Sequence, residues 1–254
     1  MNNITLISDW SLREPYLAMF KGKLHSQIPN VIIFDITHAV ELLNIHQAAF
    51  ILKHTFPSFP VGTIHVVLVG TYANMPANPV LIPYQGHFFI ANDDGIISLL
   101  FDEINQPDFP IFCYNGNETN YLSKIQALCS MCIQQTFAQH TAKYVVQKRA
   151  IPLELNYNSA KNQITGTTVY VDVHHNIITN IPVEMFLHAT QNKKFIAYVG
   201  RVQITEYADS YLETAGNAYF VPNSMGVLEI TTYRGNIAIL DAWEAETEIL
   251  LTVI

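Results

Sequence analysis

The strongest constraint on the fold is a regular alternation of strand-like and helix-like segments through the first 147 residues. Short runs of apolar, β-favouring residues are each followed by a segment whose apolar side chains have helical spacing. Repeated strand–helix units of this kind favour an α/β domain in which most strands run parallel. The strands are predicted at 4–7, 31–34, 63–69 and 87–91, and the helices at about 14–25, 44–54, 95–100 and 121–135.

The pattern changes after residue 147, where a linker is predicted at 148–162. Lys148–Pro152 and Asn156–Ser159 combine charged, proline and small polar residues, which favour turns. From residue 163 onward the alternation of polar and apolar residues predicts a smaller, antiparallel, all-β domain over 163–254. Its strands are predicted at 163–172, 193–199, 201–207, 217–221, 226–232 and 246–253.

The first predicted strand ends on a carboxylate, Asp9. In open α/β sheets, ligands bind just beyond the carboxyl ends of the strands, where a carboxylate can accept hydrogen bonds from a ribose diol. A strand-end Asp also commonly caps the turn that follows it. The local sequence leaves both roles open.

Charge narrows the range of partners. The formal charge is −8 with only 13 Lys and Arg, which argues against nucleic acid and anionic membranes as partners. Residues 54–123 contain no Lys or Arg, so a phosphate-rich ligand would lack its natural partners in this half. A sulfonium cation would suit a site that holds Asp9 and Glu14.

Several other classes of site lack their signatures. The chain has no GxxxxGK[ST], no GxGxxG after the first strand and no GxSxG. His174 and His175 are adjacent, but no second group of ligands accompanies them, so no metal site is predicted. The three cysteines, Cys113, Cys129 and Cys132, do not form a disulfide framework. No signal peptide is evident, and no apolar run reaches the roughly 18 residues of a membrane span. A cytoplasmic protein is therefore expected.

A set of blocks occurs in one particular order along the chain. They are the strand ending on Asp9, Val31-x-x-Phe34-Asp35-Ile36-Thr37-His38, Phe59-Pro60-x-Gly62-Thr63-Ile64-His65-Val66-Val67, Asn176-x-x-Thr179-Asn180-Ile181, Tyr207-Ala208-Asp209 and Asn223-Ser224-x-Gly226-x-Leu228-Glu229-Ile230. This order resembles the S-adenosylmethionine hydroxide adenosyltransferase family, which also contains fluorinating and chlorinating enzymes. The resemblance spans essentially the whole chain.

The resemblance implies an α/β N-terminal domain, a smaller barrel-like β domain and a homotrimer. It implies a ligand bound between the N-terminal domain of one subunit and the C-terminal domain of its neighbour. The family reaction displaces methionine from S-adenosylmethionine at the ribose C5′. S-adenosylmethionine is then substrate or ligand, and no separate cofactor is expected.

In the first domain, the resemblance assigns Asp9 to the two ribose hydroxyls and places Glu14 near the methionine end of the ligand. In the second domain, Asp172 matches an acid that faces the methionine ammonium group. Three further matches in the second domain complete the predicted binding set. They are Asn176 at an adenine-contacting position, Tyr207 at an aromatic position that packs on adenine, and Ser224 at a serine that binds the amino-acid carboxylate.

The sequence departs from the family pattern at the positions that handle the attacking water in its hydrolases. Gly70 stands where those members have Asp, Leu122 stands where they have His, and no Arg follows the third strand before Arg149. The remaining candidates for orienting a nucleophile are Thr71, Tyr72, Ser123 and Lys124. Three hypotheses stay open: a hydrolase with a rearranged nucleophile site, a catalytically silent binder of S-adenosylmethionine or adenosine, and a pocket for another nucleoside.

Overall fold

A computed structural model of the chain describes residues 2–211, 217–232 and 245–254. The chain divides into two compact units, Met1–Ile151 and Pro152–Ile254. This division falls inside the predicted linker 148–162. That linker is not purely irregular, because Asn156–Asn158 form a short strand.

The first unit is an α/β layer built on a seven-stranded sheet. Its strands are β1 (Asn2–Ser8), β2 (Val31–Thr37), β3 (Ile64–Leu68), β4 (Val80–Tyr84), β5 (His87–Ala91), β6 (Phe112–Tyr114) and β7 (Thr141–Lys143), and its helices are α1 (Tyr16–Gln27), α2 (Ile45–Thr55), α3 (Ile96–Leu100) and α4 (Tyr121–Ile133). Single 3₁₀ turns lie at Phe56–Ser58, Asp102–Asn105 and Phe137–Gln139. The strand order is β2-β1-β3-β5-β4-β6-β7.

Most strands of this sheet run in one direction, as predicted. The ladders β2-β1, β1-β3 and β3-β5 are parallel, whereas β5-β4, β4-β6 and β6-β7 are antiparallel. Strand β6 therefore runs in the direction of β5, and five of the seven strands share it. The predictions missed β4, β6 and β7. Strand β4 contains Pro83 and reaches β5 through the tight turn at Gln85 and Gly86, both with positive φ, while β6 and β7 have three residues each.

Helices cover both faces of the sheet. Helices α1 and α4 pack on one face, where Phe20 and Leu128 join Ile4 of β1 in a buried apolar cluster. Helices α2 and α3 pack on the other, where Leu52 and Ile97 join further buried residues of the same strands. Because a strand directs successive side chains to opposite faces, its buried residues contribute to both clusters. This two-sided burial accounts for the continuous apolar runs of β1 and β3.

Two helices begin at side-chain caps that the sequence provides. The Oδ1 atom of Asn44 accepts a hydrogen bond from the Gln47 N–H at 2.9 Å, and Asn120 accepts one from the Ser123 N–H at 3.2 Å. Both pairs have the spacing of an N-cap residue and the third helical residue. Helix α1 begins at Tyr16, two residues later than predicted, because Pro15 occupies the N-cap position.

A buried pair of histidines lies inside the first unit. His65 Nδ1 lies 2.8 Å from Thr5 Oγ1, and His65 Nε2 lies 3.1 Å from His87 Nδ1. The rings of Phe56, Phe59 and Phe89 surround His65 at centroid distances of 5.9, 5.8 and 4.9 Å. Burial, with a smaller contribution from His87, lowers the pKa of His65 from 6.5 to about 3. Burial also lowers the pKa of His87.

The second unit is an antiparallel, nearly barrel-shaped sheet. Its elements are β8 (Asn156–Asn158), β9 (Gln163–Val171), β10 (Ile177–Pro182), α5 (Val183–Thr190), β11 (Phe195–Val199), β12 (Val202–Ile204), β13 (Tyr219–Pro222), β14 (Val227–Thr231) and β15 (Glu248–Val253). The strand order is β12-β11-β15-β9-β10-β14-β13, with β8 also pairing with β9. The predicted combination of an α/β domain and a smaller barrel-like β domain is confirmed.

Strand β10 and helix α5 were not predicted from the sequence. Strand β10 has the register shifts of an irregular strand on both sides, and it runs directly into α5 at Pro182. Helix α5 has only eight residues, too few for a clear helical period. Its Phe186 is nevertheless buried in the core of this unit. Among the described residues, no helix is long and apolar enough to cross a membrane.

We expect His65 to make the stability of the first unit fall with acid. Between pH 6.5 and about 3 the unfolded chain binds a proton at this position that the folded chain does not bind, so the free energy of unfolding decreases as the pH falls. The decrease approaches about 1.4 kcal/mol per pH unit at its steepest. Urea unfolding of the wild type between pH 7 and pH 4 measures it.

The variant His65→Gln keeps a hydrogen-bonding side chain but does not titrate in this range. We expect it to flatten the pH dependence, although its stability at pH 7 is lower. His25→Gln, at an exposed position of α1, is the matched control and should keep the wild-type slope. Equal slopes in the wild type and His65→Gln would contradict this account.

Candidate functional site

The carboxylate of Asp9 lies directly beyond β1 and connects three loops. Its Oδ2 atom accepts hydrogen bonds from the backbone N–H groups of Leu43 and Gly70, each at 3.0 Å. Leu43 precedes α2, and Gly70 follows β3. Asp9 is thus a capping residue, but it caps two distant loops rather than its own turn. Its Oδ1 atom accepts no hydrogen bond from any residue that the structure describes.

Two strained non-glycine residues and one glycine with positive φ lie in the loops around this carboxylate. Ser11, Leu43 and Gly70 all have left-handed backbone conformations, with φ of 60°, 61° and 63°. Such a conformation costs a non-glycine residue about 1–2 kcal/mol. At Gly70 a Cβ atom would also lie 3.0 Å from Leu43 Cδ2. The loops that position Asp9 therefore adopt a conformation that the rest of the unit must maintain.

A cavity of about 540 Å³, the Asp9 pocket, opens beside this carboxylate. It is lined by Asp9, Ser11, Leu12, Arg13, Asp35, Thr37, His38, Ala39 and Val40. These residues belong to the loop after β1, to the last residues of β2 and to the loop that follows β2. The carboxyl ends of these two parallel strands meet at one edge of the sheet. Arg13, Asp35 and His38 were not predicted as site residues, although Asp35 and His38 end the second predicted strand.

A series of polar contacts links Ser8, His38, Asp35 and Lys21 at the Asp9 pocket. Ser8 Oγ lies 2.7 Å from His38 Nδ1, His38 Nε2 lies 3.0 Å from Asp35 Oδ1, and Lys21 Nζ donates to Asp35 Oδ2 at 2.5 Å. Burial alone would raise the pKa of Asp35, but the hydrogen bond from Lys21 and the nearby His38 hold it below the usual value. Ser8 is 0% exposed, so this arrangement positions the loops and does not offer a serine nucleophile.

The Trp10 pocket, a cavity of about 390 Å³, brings together three of the predicted residues. It is lined by Trp10, Glu14, Tyr16, Thr71, Tyr72, Ala73 and Leu122. Glu14, Thr71 and Tyr72 thus share one cavity. Trp10 and Tyr16 were not predicted, although Trp10 directly follows Asp9 and Tyr16 lies two residues after Glu14.

Hydrogen bonds already engage the side chains of Thr71 and Lys124 and the backbone N–H of Ser123. Thr71 Oγ1 donates to the Leu68 carbonyl at 2.9 Å, and the Ser123 N–H is the group capped by Asn120. Lys124 Nζ donates to the Ala77 carbonyl at 2.9 Å and to Asn78 Oδ1 at 2.7 Å. Ser123 and Lys124 are not among the residues that line the Trp10 pocket.

In the second unit, the Asp172 pocket has a volume of about 430 Å³. It is lined by Tyr170, Asp172, Ile178, Tyr211, Pro222, Asn223, Ser224, Met225 and Glu229. The predicted residues Asp172 and Ser224 therefore share it.

Asp172 and Asn176 are joined in one hydrogen-bonded loop. Asp172 Oδ1 accepts from the backbone N–H groups of His174 and Asn176, both at 2.8 Å, and Oδ2 accepts from Asn176 Nδ2 at 3.2 Å. Thr231 Oγ1 donates to Asn176 Oδ1 at 2.6 Å. Asn176 is 7% exposed, so its side chain fixes this loop beneath the pocket.

Sequence reasoning missed a second carboxylate in the Asp172 pocket. Glu229 is 3% exposed and accepts a hydrogen bond from the Tyr211 hydroxyl at 2.5 Å. Burial and the charge of Asp172 raise the pKa of Glu229, and the bond from Tyr211 opposes the change. Burial likewise raises the pKa of Tyr170 to about 12. The sequence feature that could have identified Glu229 is its position as the one charged residue inside the apolar strand β14, since such a residue is rarely buried without a partner.

Tyr207 lies in the core of the second unit. Its ring packs against that of Phe186 in α5, with centroids 4.9 Å apart, and it forms an isolated β-bridge with Phe220. Burial, with a hydrogen bond to Asp209, raises the pKa of its hydroxyl. Tyr207 is not among the residues that line the Asp172 pocket. Among the described residues, no group of three or more His, Cys, Asp or Glu side chains could hold a metal ion.

The hydrogen bond from Thr231 to Asn176 provides a test of how the Asp172 loop is held. We expect Thr231→Val to lower the free energy of unfolding by about 1–3 kcal/mol, because it leaves the buried Asn176 Oδ1 unpaired. The neighbouring Thr232→Val is the matched control, since Thr232 Oγ1 is buried without a partner among the described residues. Urea unfolding measures both. Equal losses in the two variants would contradict the assignment.

Comparison with known proteins places these features in a family. The family models of the SAM hydroxide adenosyltransferase N-terminal and C-terminal domains match residues 4–150 and 166–249. The curated (R)-S-adenosyl-L-methionine hydrolase of Methanocaldococcus jannaschii is 21% identical over 243 residues, covering 92% of this chain and 89% of the relative. An enzyme of the same name from Thermus thermophilus is 29% identical over 69 residues, or 27% of each chain.

Solved structures share the fold. An uncharacterized conserved protein from Thermotoga maritima aligns with a TM-score of 0.80 at 20% identity, covering 98% of this chain and 99% of that one. A conserved hypothetical protein from Thermus thermophilus aligns with a TM-score of 0.71 at 18% identity, covering 99% of this chain and 100% of that one. The two domain matches together span most of the sequence, and the chain therefore belongs to the SAM hydroxide adenosyltransferase family.

Proposed function

We propose that this protein hydrolyses S-adenosylmethionine to adenosine and methionine, with a nucleophile site that differs from the family pattern. Membership of the family supports this reaction class, as do relatives named (R)-S-adenosyl-L-methionine hydrolase. The observation that carries the proposal is the position of Asp9. Its carboxylate lies beyond β1, is oriented by two backbone N–H groups, and keeps one oxygen unengaged by the described residues.

The proposed reaction is a displacement at carbon. The water oxygen forms a bond to C5′, the C5′–sulfur bond breaks, and its electron pair stays on sulfur. Methionine leaves as a neutral thioether, adenosine is released, and the attacking water loses one proton to solvent. Because this leaving group needs no protonation, catalysis depends mainly on alignment and on removal of water from the nucleophile.

Five of the six predicted binding residues have a proposed role in this reaction. Asp9 accepts hydrogen bonds from the ribose hydroxyls through Oδ1, and Glu14 faces the methionine end in the Trp10 pocket. In the Asp172 pocket, Asp172 takes the ammonium group and Ser224 the carboxylate. Asn176, whose Oδ1 and Nδ2 atoms are held by Thr231 and Asp172, fixes the loop that presents Asp172.

The nucleophile site is proposed to work without a strong general base. Gly70 and Leu122 carry no titratable group, and Leu122 gives the Trp10 pocket an apolar wall. A general base contributes about 10²–10⁴-fold to such reactions. We therefore expect turnover well below that of a hydrolase with a complete set of catalytic side chains. Among the four nucleophile-orienting candidates, we propose Tyr72 as the residue that orients water, because its side chain lines the pocket and is exposed.

A second candidate function is a catalytically silent binder of S-adenosylmethionine or adenosine. The observation that favours it is the engagement of Thr71 and Lys124 in hydrogen bonds with backbone carbonyl groups. Side chains that are held in this way position loops and are not available to a nucleophile. Turnover separates the two functions, since both require the ligand to bind.

The test is incubation of the pure protein with each sulfonium epimer of S-adenosylmethionine, with adenosine and methionine measured by chromatography. We expect adenosine to form, and Asp9→Asn to reduce its formation at least about tenfold, because charge-assisted hydrogen bonds contribute about 1.5–3 kcal/mol each. The Asn side chain keeps an oxygen for the Leu43 and Gly70 amides. Asp108→Asn, at an exposed site away from these pockets, should match the wild type.

The outcomes distinguish the hypotheses. Calorimetric titration of the same samples reports binding independently of turnover. Binding without adenosine identifies the silent binder and contradicts hydrolysis. An absence of binding for both epimers contradicts both functions.

We also propose that the chain self-associates as a homotrimer, which the family resemblance implies. Light scattering of the purified protein tests this. A mass near three times 28.7 kDa is the expected result, and a monomer would contradict it.

A further inference from the structure

The Trp10 pocket has an unusual combination of walls. Three of the side chains that line it are aromatic, namely Trp10, Tyr16 and Tyr72, and one is a carboxylate, Glu14. Tyr16 is 60% exposed and Tyr72 is 56% exposed, so both rings are accessible to a ligand. Aromatic faces together with one carboxylate are the walls that recognise alkylated cations, through the attraction between a cation and the ring quadrupole.

The aromatic walls are held before any ligand arrives. The indole of Trp10 lies edge-on to Phe20, with centroids 6.1 Å apart, and its Nε1 donates to the Thr71 carbonyl at 3.3 Å. The loop that carries Tyr72 is fixed on its far side, because the Met75 N–H donates to the Tyr72 carbonyl at 3.2 Å. The Tyr121 N–H also donates to the Ala73 carbonyl at 2.9 Å. A preformed pocket loses little entropy when it binds.

The electrostatics of this pocket also favour a cation. Glu14 carries the only formal charge among its lining residues, which include no Lys, Arg or His. Four of the lining residues come from the stretch 54–123, which contains no Lys or Arg. A neutral ligand would gain only apolar contact here, whereas a sulfonium would gain contact and charge stabilisation.

We infer that the Trp10 pocket recognises the positive charge of the sulfonium itself, and that Tyr72 is the residue that sets this selectivity. The inference rests on the proposed binding of S-adenosylmethionine and adds how substrate is distinguished from neutral thioethers. The exposed ring of Tyr72 provides one aromatic contact, Trp10 provides a second that Phe20 and the Thr71 carbonyl hold in place, and Glu14 supplies the compensating charge.

This selectivity has a consequence for turnover. Displacement converts the sulfonium into a neutral thioether, so the interaction that holds the substrate is lost as the product forms. Stabilising the sulfonium in the ground state lowers KM but does not lower the barrier, because the charge on sulfur is already decreasing in the transition state. Loss of the Tyr72 ring is therefore expected to raise KM. A fall in kcat would report the separate role of the Tyr72 hydroxyl in orienting water, which Tyr72→Phe removes while keeping the ring.

The experiment compares three ligands by calorimetry with the intact protein: S-adenosylmethionine, its neutral thioether S-adenosylhomocysteine, and sinefungin, in which an amine-bearing carbon replaces the sulfonium. We expect the two cations to bind about three- to thirty-fold more tightly than the thioether. Tyr72→Leu should remove most of this preference while leaving the affinity for the thioether nearly unchanged. Tyr72→Phe keeps the ring and should keep the preference.

Each other outcome contradicts the inference. Equal affinity of the wild type for all three ligands overturns charge recognition while the proposed function stands. Equal weakening of all three by Tyr72→Leu shows that Tyr72 contributes shape and not charge selectivity. If none of the ligands binds, the proposed function and this inference fail together.

Discussion

The structure of the first unit depends on one carboxylate oxygen. Asp9 Oδ2 joins the loop after β1 to Leu43 before α2 and to Gly70 after β3, so three loops at the carboxyl edge of the sheet share one acceptor. Both partner residues have positive φ, a conformation that is strained for Leu43 and is readily adopted by the glycine at position 70. The same interaction leaves the other carboxylate oxygen without a hydrogen bond from the described residues. Fold and proposed ribose recognition thus rest on a single side chain.

The parts of the fold that could be predicted from the sequence are those with long, regular patterns of apolar residues. Strands β1 and β3 are continuous apolar runs because helices cover both faces of their sheet, and that burial is visible in composition alone. Strands of three residues, such as β6 and β7, have no period to detect, and their pairing depends on contacts distant in sequence. Helix α5 was missed for the same reason, since its eight residues, Val183–Thr190, directly follow the end of β10 at Pro182 and are too few for a clear helical period.

The candidate site was predictable where position along a strand determines position in space. Asp9, Glu14 and Tyr72 follow strands whose ends must meet at one edge of a parallel sheet. Glu229 was not found, because a lone charged residue inside an apolar strand gives no indication of its partner. That partner, the Tyr211 hydroxyl, lies 18 residues away and is brought close only by folding. Side-chain partnerships of this kind are a property of the fold.

The central claim is that Asp9 binds the ribose diol, and the most direct measurement compares adenosine with 2′-deoxyadenosine and 3′-deoxyadenosine by calorimetric titration. The account predicts that removal of either hydroxyl weakens binding about tenfold or more, since each hydroxyl loses a hydrogen bond to a charged acceptor. It also predicts that Asp9→Asn binds the three nucleosides with nearly equal affinity. Equal affinity of the wild-type protein for all three nucleosides would contradict it.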